Sequence, residues 1–227
     1  CELSRGLGDV YKRQVFMIPT AFSSESAVAE EGGAISYNIG YMSEYWYRGV
    51  HQSDSAVSFG ADYEVGGFYL GTWWADVDTG LEHDYYGGYA FSAMGMDMYA
   101  GFTGYYYTDN FDSDYEEFNF GVAMGPIAVD FADGNYDGSS VTDTGYTFTS
   151  VALDLAMVGL PMTLTAGYWG GDSSLKGNVY TLDYGTTVSG VDVGLQIGRN
   201  DDDITQGSRG ASSVDTTFAV FSLGYSF

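Results

Sequence analysis

A chain of 227 residues with 45% hydrophobic side chains suits one folded domain and is too apolar for disorder. Its formal charge of −24 repels nucleic acid and would draw cations into any aqueous cleft. No run approaches the roughly 18 apolar residues of a transmembrane helix, whereas 17% aromatics beside 33 glycines suit short strands joined by tight turns.

Residues 1–14, CELSRGLGDVYKRQ, hold three of the seven bases and the single cysteine, and read as adaptor sequence. Residues 15–29 read as a truncated signal peptide, an apolar run ending in the small-residue site Ala27-Val28-Ala29. Lys12 and Arg13 offer the alternative of a genuine basic flank. A lipid anchor on Cys1 would need a lipobox ahead of it. The folded part is expected over 30–227, exported and free of cysteine, which leaves no disulfide or thiolate metal site there.

From residue 30 onward, about twelve segments of roughly ten residues alternate apolar with small or polar side chains. Ile35/Tyr37/Ile39/Tyr41 form the first stripe, and Val57/Phe59/Ala61/Tyr63/Val65 the clearest one, opposite Ser58, Gly60, Asp62 and Glu64. Met98/Ala100/Phe102, Phe118/Phe120/Val122, Ile127/Val129/Phe131, Leu164/Ala166/Tyr168 and Val191/Val193/Leu195/Ile197 follow. A soluble sandwich has the same period. The connections separate the two. Uncharged short links (Gly66-Gly67, Met94-Gly95, Gly125-Pro126, Gly159-Leu160-Pro161, Ser189-Gly190) alternate with long polar ones near 49–55, 77–82, 108–114, 133–144, 170–177 and 200–214. That alternation predicts an all-β, transmembrane, antiparallel up-and-down barrel of about 12 strands, with short periplasmic turns, longer extracellular loops and both termini periplasmic. The last strand presents Ala219, Phe221, Leu223, Tyr225 and Phe227 on one face. An exposed apolar edge there would invite aggregation, and barrel closure removes it. Phe221, Leu223, Tyr225 and Phe227 also resemble the C-terminal signal read by the bacterial barrel-assembly machinery.

The faces follow from charge. A slip of one residue would place Asp62, Glu64, Asp97, Asp130, Asp183 and Asp192 in hydrocarbon, at about 2–3 kcal/mol each. These acids, with Glu44, Glu117, Asp154 and the base Arg48, are expected to line the pore. Ser58, Gly60, Gly88, Ala90, Gly101, Thr103, Gly121, Ala123, Ala128, Gly194 and Gly198 share that side, and such small residues predict a bore of about 10 Å in a barrel of about 25 Å. Acids bonded to inward tyrosines would stiffen the wall instead. Tyr45, Tyr47, Tyr85, Tyr89 and Tyr184 are expected in interfacial girdles. Over 68–76 both faces are aromatic and the register stays open.

SEYWYRGVHQSD (43–54), GGFYLGTWWADVD (66–78) and LEHDYYGGY (81–89) resemble the TorF-family porins, also called the Gcw-CHP family. Ser43, Tyr45, Arg48, Gly49, Gln52, Asp54, Phe68, Tyr69, Gly71, Trp73, Val77, Asp78, Glu82 and Asp84 match that pattern, while Glu44, His51 and Asp76 depart from it. The likeness covers roughly the first third of the chain beyond residue 29. It implies an outer-membrane barrel with a pore role and no established substrate.

The functional expectation is a porin-like channel for passive diffusion of small hydrophilic solutes, favouring cations. Its partners would be outer-membrane lipid, lipopolysaccharide and, during biogenesis, the assembly machinery, without nucleic acid. A non-conducting structural or adhesive barrel stays open, and so does a barrel lipid hydrolase. For the hydrolase, His51-Gln52-Ser53 has the His-x-Ser spacing of outer-membrane phospholipase A, but the orienting Asn is missing where EVGG stands. Asp76-Val77-Asp78 echoes one carboxylate pair of the omptin proteases without their Asp-x-His element. No enzyme, cofactor or dedicated metal site is expected, apart from Ca²⁺ or Mg²⁺ held loosely by acidic loops such as Asp109/Asp112/Asp114 and Asp201-Asp202-Asp203. Arg48 either orients an anionic group of a solute or joins Glu44 and second-strand acids in a buried network that fixes the first hairpin.

Overall fold

The computed structural model describes residues 33–137, 144–172, 176–201, 204 and 216–227. The adaptor and signal-peptide expectations, and parts of the loops after 137, 172 and 201, lie outside these residues. In chain order the strands are β1 (Ala34–Met42), β2 (Tyr45–Tyr47), β3 (Val50–Ser53), β4 (Ala56–Val65), β5 (Phe68–Asp76), β6 (Leu81–Ala93) and β7 (Met96–Tyr107). Then come β8 (Tyr115–Met124), β9 (Ile127–Tyr136), β10 (Thr144–Asp154), β11 (Met162–Gly171), β12 (Gly177–Val188), β13 (Val191–Asn200) and β14 (Thr216–Ser226).

Strands β1 and β4 to β14 form a closed antiparallel barrel of twelve, each strand paired with its neighbours in sequence. β1 closes on β14 with Asn38 opposite Ser226 and Met42 opposite Ser222. Tyr37 and Phe227 exchange both backbone bonds, at 2.9 and 3.0 Å. Closure gives each of these twelve strands two partners, the condition for carrying backbone through hydrocarbon. Within the short links, Gly66-Gly67, Met94-Gly95 and Ser189-Gly190 have positive φ at both residues. That conformation matches the twist of paired strands and favours glycine.

The outer face is the apolar one. Ile35 is 62% exposed and Phe68 63%, with Val57, Phe59, Leu70, Phe102, Phe118, Phe120, Leu164, Leu195 and Ile197 also exposed. On a barrel with acids on its opposite face, such a band has only lipid to meet. It is framed by rings. Towards the loop end, Phe59, Trp74, His83 and Tyr106 stack in sequence across four strands. Towards the turn end, Phe68 meets Tyr89 and Tyr89 meets Phe91, while Phe227 stacks on Tyr37 and Tyr225. Tyr85 and Tyr89 are exposed on the outer wall, and Tyr184 shares the outward phase with Leu182 and Tyr180. Tyr45 and Tyr47 depart from expectation. They lie inside the barrel, in β2, because the chain leaves the wall after Met42.

The open register of β5 resolves with Phe68, Leu70 and Trp74 outward and Tyr69, Trp73 and Ala75 inward. Its neighbours decide this: Ala75 pairs with Ser58 and Glu82, and Trp73 with Gly60 and Asp84, all inward. Two loops are shorter than the polar composition suggests, since β9 continues to Tyr136 and β6 begins at Leu81.

Candidate functional site

The segment between β1 and β4, expected as an extracellular loop, folds into the bore as the hairpin β2–β3. Nearly every residue from Tyr45 to Ser53 is buried on both faces, which a hairpin outside the barrel could not achieve. Its tip is Arg48-Gly49, with φ of 48° and 82°. An arginine rarely adopts that conformation, and here the surroundings hold it. Trp169 of β11 donates its indole N–H to the Arg48 carbonyl (2.7 Å), and Asn200 of β13 donates its amide to the Gly49 carbonyl (2.6 Å).

Seats for the hairpin surround the bore. Trp46 stacks on Phe218 of β14 at 4.2 Å with planes 7° apart. Tyr45 donates to Glu82 of β6 (3.0 Å) and meets the Trp73 ring of β5 edge-on. The Tyr47 hydroxyl pairs with that of Tyr105 on β7 at 2.6 Å. Arg48 reaches Glu117 of β8 with two bonds of 2.8 Å. Its guanidinium also lies 4.7 Å from the centre of the Phe148 ring on β10, 4.9 Å from Tyr47 and 5.6 Å from Trp169. The expected partners of Arg48, Glu44 and the acids of the second strand, are thereby corrected: Glu44 accepts from the Trp46 indole (2.6 Å), and the arginine crosses to the far wall. Arg48 is also a turn residue, not part of a strand.

The remaining expected lining acids sit on the inner wall, mostly engaged. Asp62 accepts from Tyr86 (2.6 Å) and Asn38, and Asp130 from Tyr99 (2.8 Å). Asp183 accepts from Thr181 and Gln196, and Asp192 from Thr187. Asp97 and Asp154 are at the turn-end rim, where Asp97 takes the Ser92 hydroxyl and Asp154 caps the short 3-10 turn Leu155–Val158. Glu64 lies beside the first turn, inward and half-buried.

The small inward residues do not translate into free space. The Tyr99 ring lies over Gly121 and the Phe218 ring over Gly198, and the hydroxyl end of Tyr69 reaches over Gly88 and Gly101. A glycine removes the Cβ that would collide, so each is a seat for an aromatic side chain. The bore is therefore narrower than side-chain size alone predicts.

Towards the loop end, above the hairpin, opens a cavity of about 470 Å³. Its walls come from Tyr47, Gln52, Tyr105, Tyr107, Tyr146 and Trp169, with Asp78, Phe111, Asp112 and Tyr115 from loops and strand ends. Carriers of the hairpin such as Tyr105, Trp169 and Asn200 were not singled out from sequence. Parity would have exposed Tyr99 and Tyr105, which share the inward phase of Gly101 and Thr103. The His51-x-Ser53 spacing builds no dyad: Ser53 donates to the Ser55 carbonyl (2.6 Å), and His51 lies 3.3 Å from Asp54.

The sequence profile of a bacterial protein family of unknown function, Gcw_chp, matches residues 26–227. The chain belongs to the Gcw_chp family. The match runs far past the first third that carried the resemblance. Half of the motif residues converge: in this Gcw_chp chain, Tyr45, Arg48, Gly49, Gln52, Trp73, Glu82 and Asp84 form the hairpin or the wall near it, while Phe68 faces outward. No curated protein sequence matches significantly. Among solved structures, the KdgM porin superposes with a TM-score of 0.54 at 10% identity, covering 85% of this chain and 98% of that one. A protein from a study of in-meso crystallization of membrane proteins gives 0.54 at 7%, covering 85% and 83%. At these identities the likeness shows the fold of the Gcw_chp barrel.

Proposed function

We propose that this chain is an outer-membrane porin-like channel for passive diffusion of small hydrophilic solutes, favouring cations, with the β2–β3 hairpin as its constriction. The carrying observation is a hairpin seated inside a closed barrel whose inner wall is acidic. Arg48, the base seated in the bore, is neutralised by Glu117. Asp62, Asp130, Asp183 and Asp192 accept from neutral donors on the inner wall, and with the inward Glu64 they favour cations along it. In this reading the long loops are extracellular and meet lipopolysaccharide. Both chain ends are periplasmic, and Phe221, Leu223, Tyr225 and Phe227 form the assembly signal. The similarity in fold to a porin supports the pore role.

Reconstitution into planar bilayers under a salt gradient tests this. The expected result is discrete conductance with a reversal potential on the cation side. Absence of conductance from a folded barrel would overturn it and favour the second reading, a closed structural or adhesive barrel. The rings packed on both faces of the hairpin speak for that alternative.

A further inference from the structure

The cavity above the hairpin combines two features that nothing in passive diffusion requires. Aromatic rings form most of its wall, and its charged lining residues are acids, Asp78 and Asp112, with no base among the lining residues. At about 470 Å³ it falls in the size range of small-molecule sites. The tyrosine hydroxyls are largely spent elsewhere. Tyr105 and Tyr146 donate to Glu117 (2.8 and 3.1 Å), and Tyr115 donates to Asp112 (2.9 Å). What those rings offer to the cavity is π surface. A sugar would find those tyrosine oxygens taken, with Gln52, Thr79 and Asn110 as the neutral polar groups left to it, and an anion would meet two carboxylates. A cation gains from both the ring faces and the acids. The same cluster already holds one: the Arg48 guanidinium lies against the faces of Tyr47 and Trp169.

We propose that this cavity is a binding site for an organic cation, a protonated amine or quaternary ammonium compound, captured at the loop end of the barrel before the constriction. The idea that such a solute then passes inward rests on the pore reading, but binding does not.

Titration calorimetry on the detergent-solubilised full barrel, with choline as probe, separates the two. Choline should bind at least about tenfold more tightly than its uncharged isostere dimethylbutanol, since shape is shared and only charge differs. Asp78→Asn, a charge change at an exposed loop residue, should weaken choline by about threefold to tenfold, and Phe111→Ala by a similar factor. Glu116→Gln, an exposed acid on the outer wall, should leave binding unchanged. Equal binding of choline and dimethylbutanol would overturn the proposal, as would no binding of choline, or tighter binding of methyl glucoside. Choline binding insensitive to both Asp78→Asn and Phe111→Ala would also overturn it. Intact binding beside a silent bilayer would count against the pore alone.

Discussion

Arg48 and Glu117, 69 residues apart in sequence, face one another inside the barrel through two parallel hydrogen bonds of 2.8 Å. Their side chains are 6% and 0% exposed. The pair ties the tip of the hairpin to the far wall and neutralises the arginine charge seated in the bore.

Arg48→Ala should cost about 3–5 kcal/mol, because it leaves the Glu117 carboxylate buried without its counter-charge. It should also release the hairpin tip and raise single-channel conductance. Pairing Arg48→Met with Glu117→Gln should recover much of the stability while conductance stays high. Urea unfolding and bilayer recording check both halves. Wild-type stability and conductance in Arg48→Ala would refute this role for the pair.

Replacing residues 45–53 by a short Gly/Ser linker should leave a closed barrel, since β1 pairs with β4 and β14 through residues outside the hairpin. Conductance should then rise severalfold, since the constricting element is gone. If the folded deletion conducts no more than the parent, the constriction lies elsewhere.

Gly198→Ala places a methyl group where the Phe218 ring lies and should cost about 1–3 kcal/mol by overpacking. Phe218 also carries Trp46, so the hairpin should loosen with it. Combining Gly198→Ala with Phe218→Leu should be less destabilising than the two costs added together, the signature of residues in contact. Strict additivity in unfolding experiments would show that the ring does not need the glycine.

Neutralising wall acids in the spanning strands, Asp130→Asn together with Asp183→Asn, should move the reversal potential towards zero with little change in conductance at high salt, where fixed charge is screened. The amide oxygen of Asp130→Asn can still accept from Tyr99, and that of Asp183→Asn from Gln196, while the Thr181 hydroxyl turns to accept from the new NH₂. Unchanged selectivity at low salt would place the ion path away from these residues.

How the chain encloses a bore was legible in the residues themselves. Strict alternation sets which side chains meet lipid, and the energetic cost of an aspartate in hydrocarbon fixes the parity. Short glycine turns alternating with long polar links fix the meander and its count of twelve. These are local signals, repeated along the chain. The hairpin was not legible. SEYWYRGVHQS alternates like a strand and is polar like a loop, and nothing near it in sequence shows that its seats are Glu82, Glu117, Trp169, Asn200 and Phe218. Only closure brings those strands within reach of one turn. The glycines misled for the same reason: Gly121 and Gly198 read as empty space until the barrel set the rings of Tyr99 and Phe218 over them. Periodicity alone determined the wall of this protein. What occupies its interior was decided by contacts between residues far apart in the chain, which exist only once the cylinder is closed.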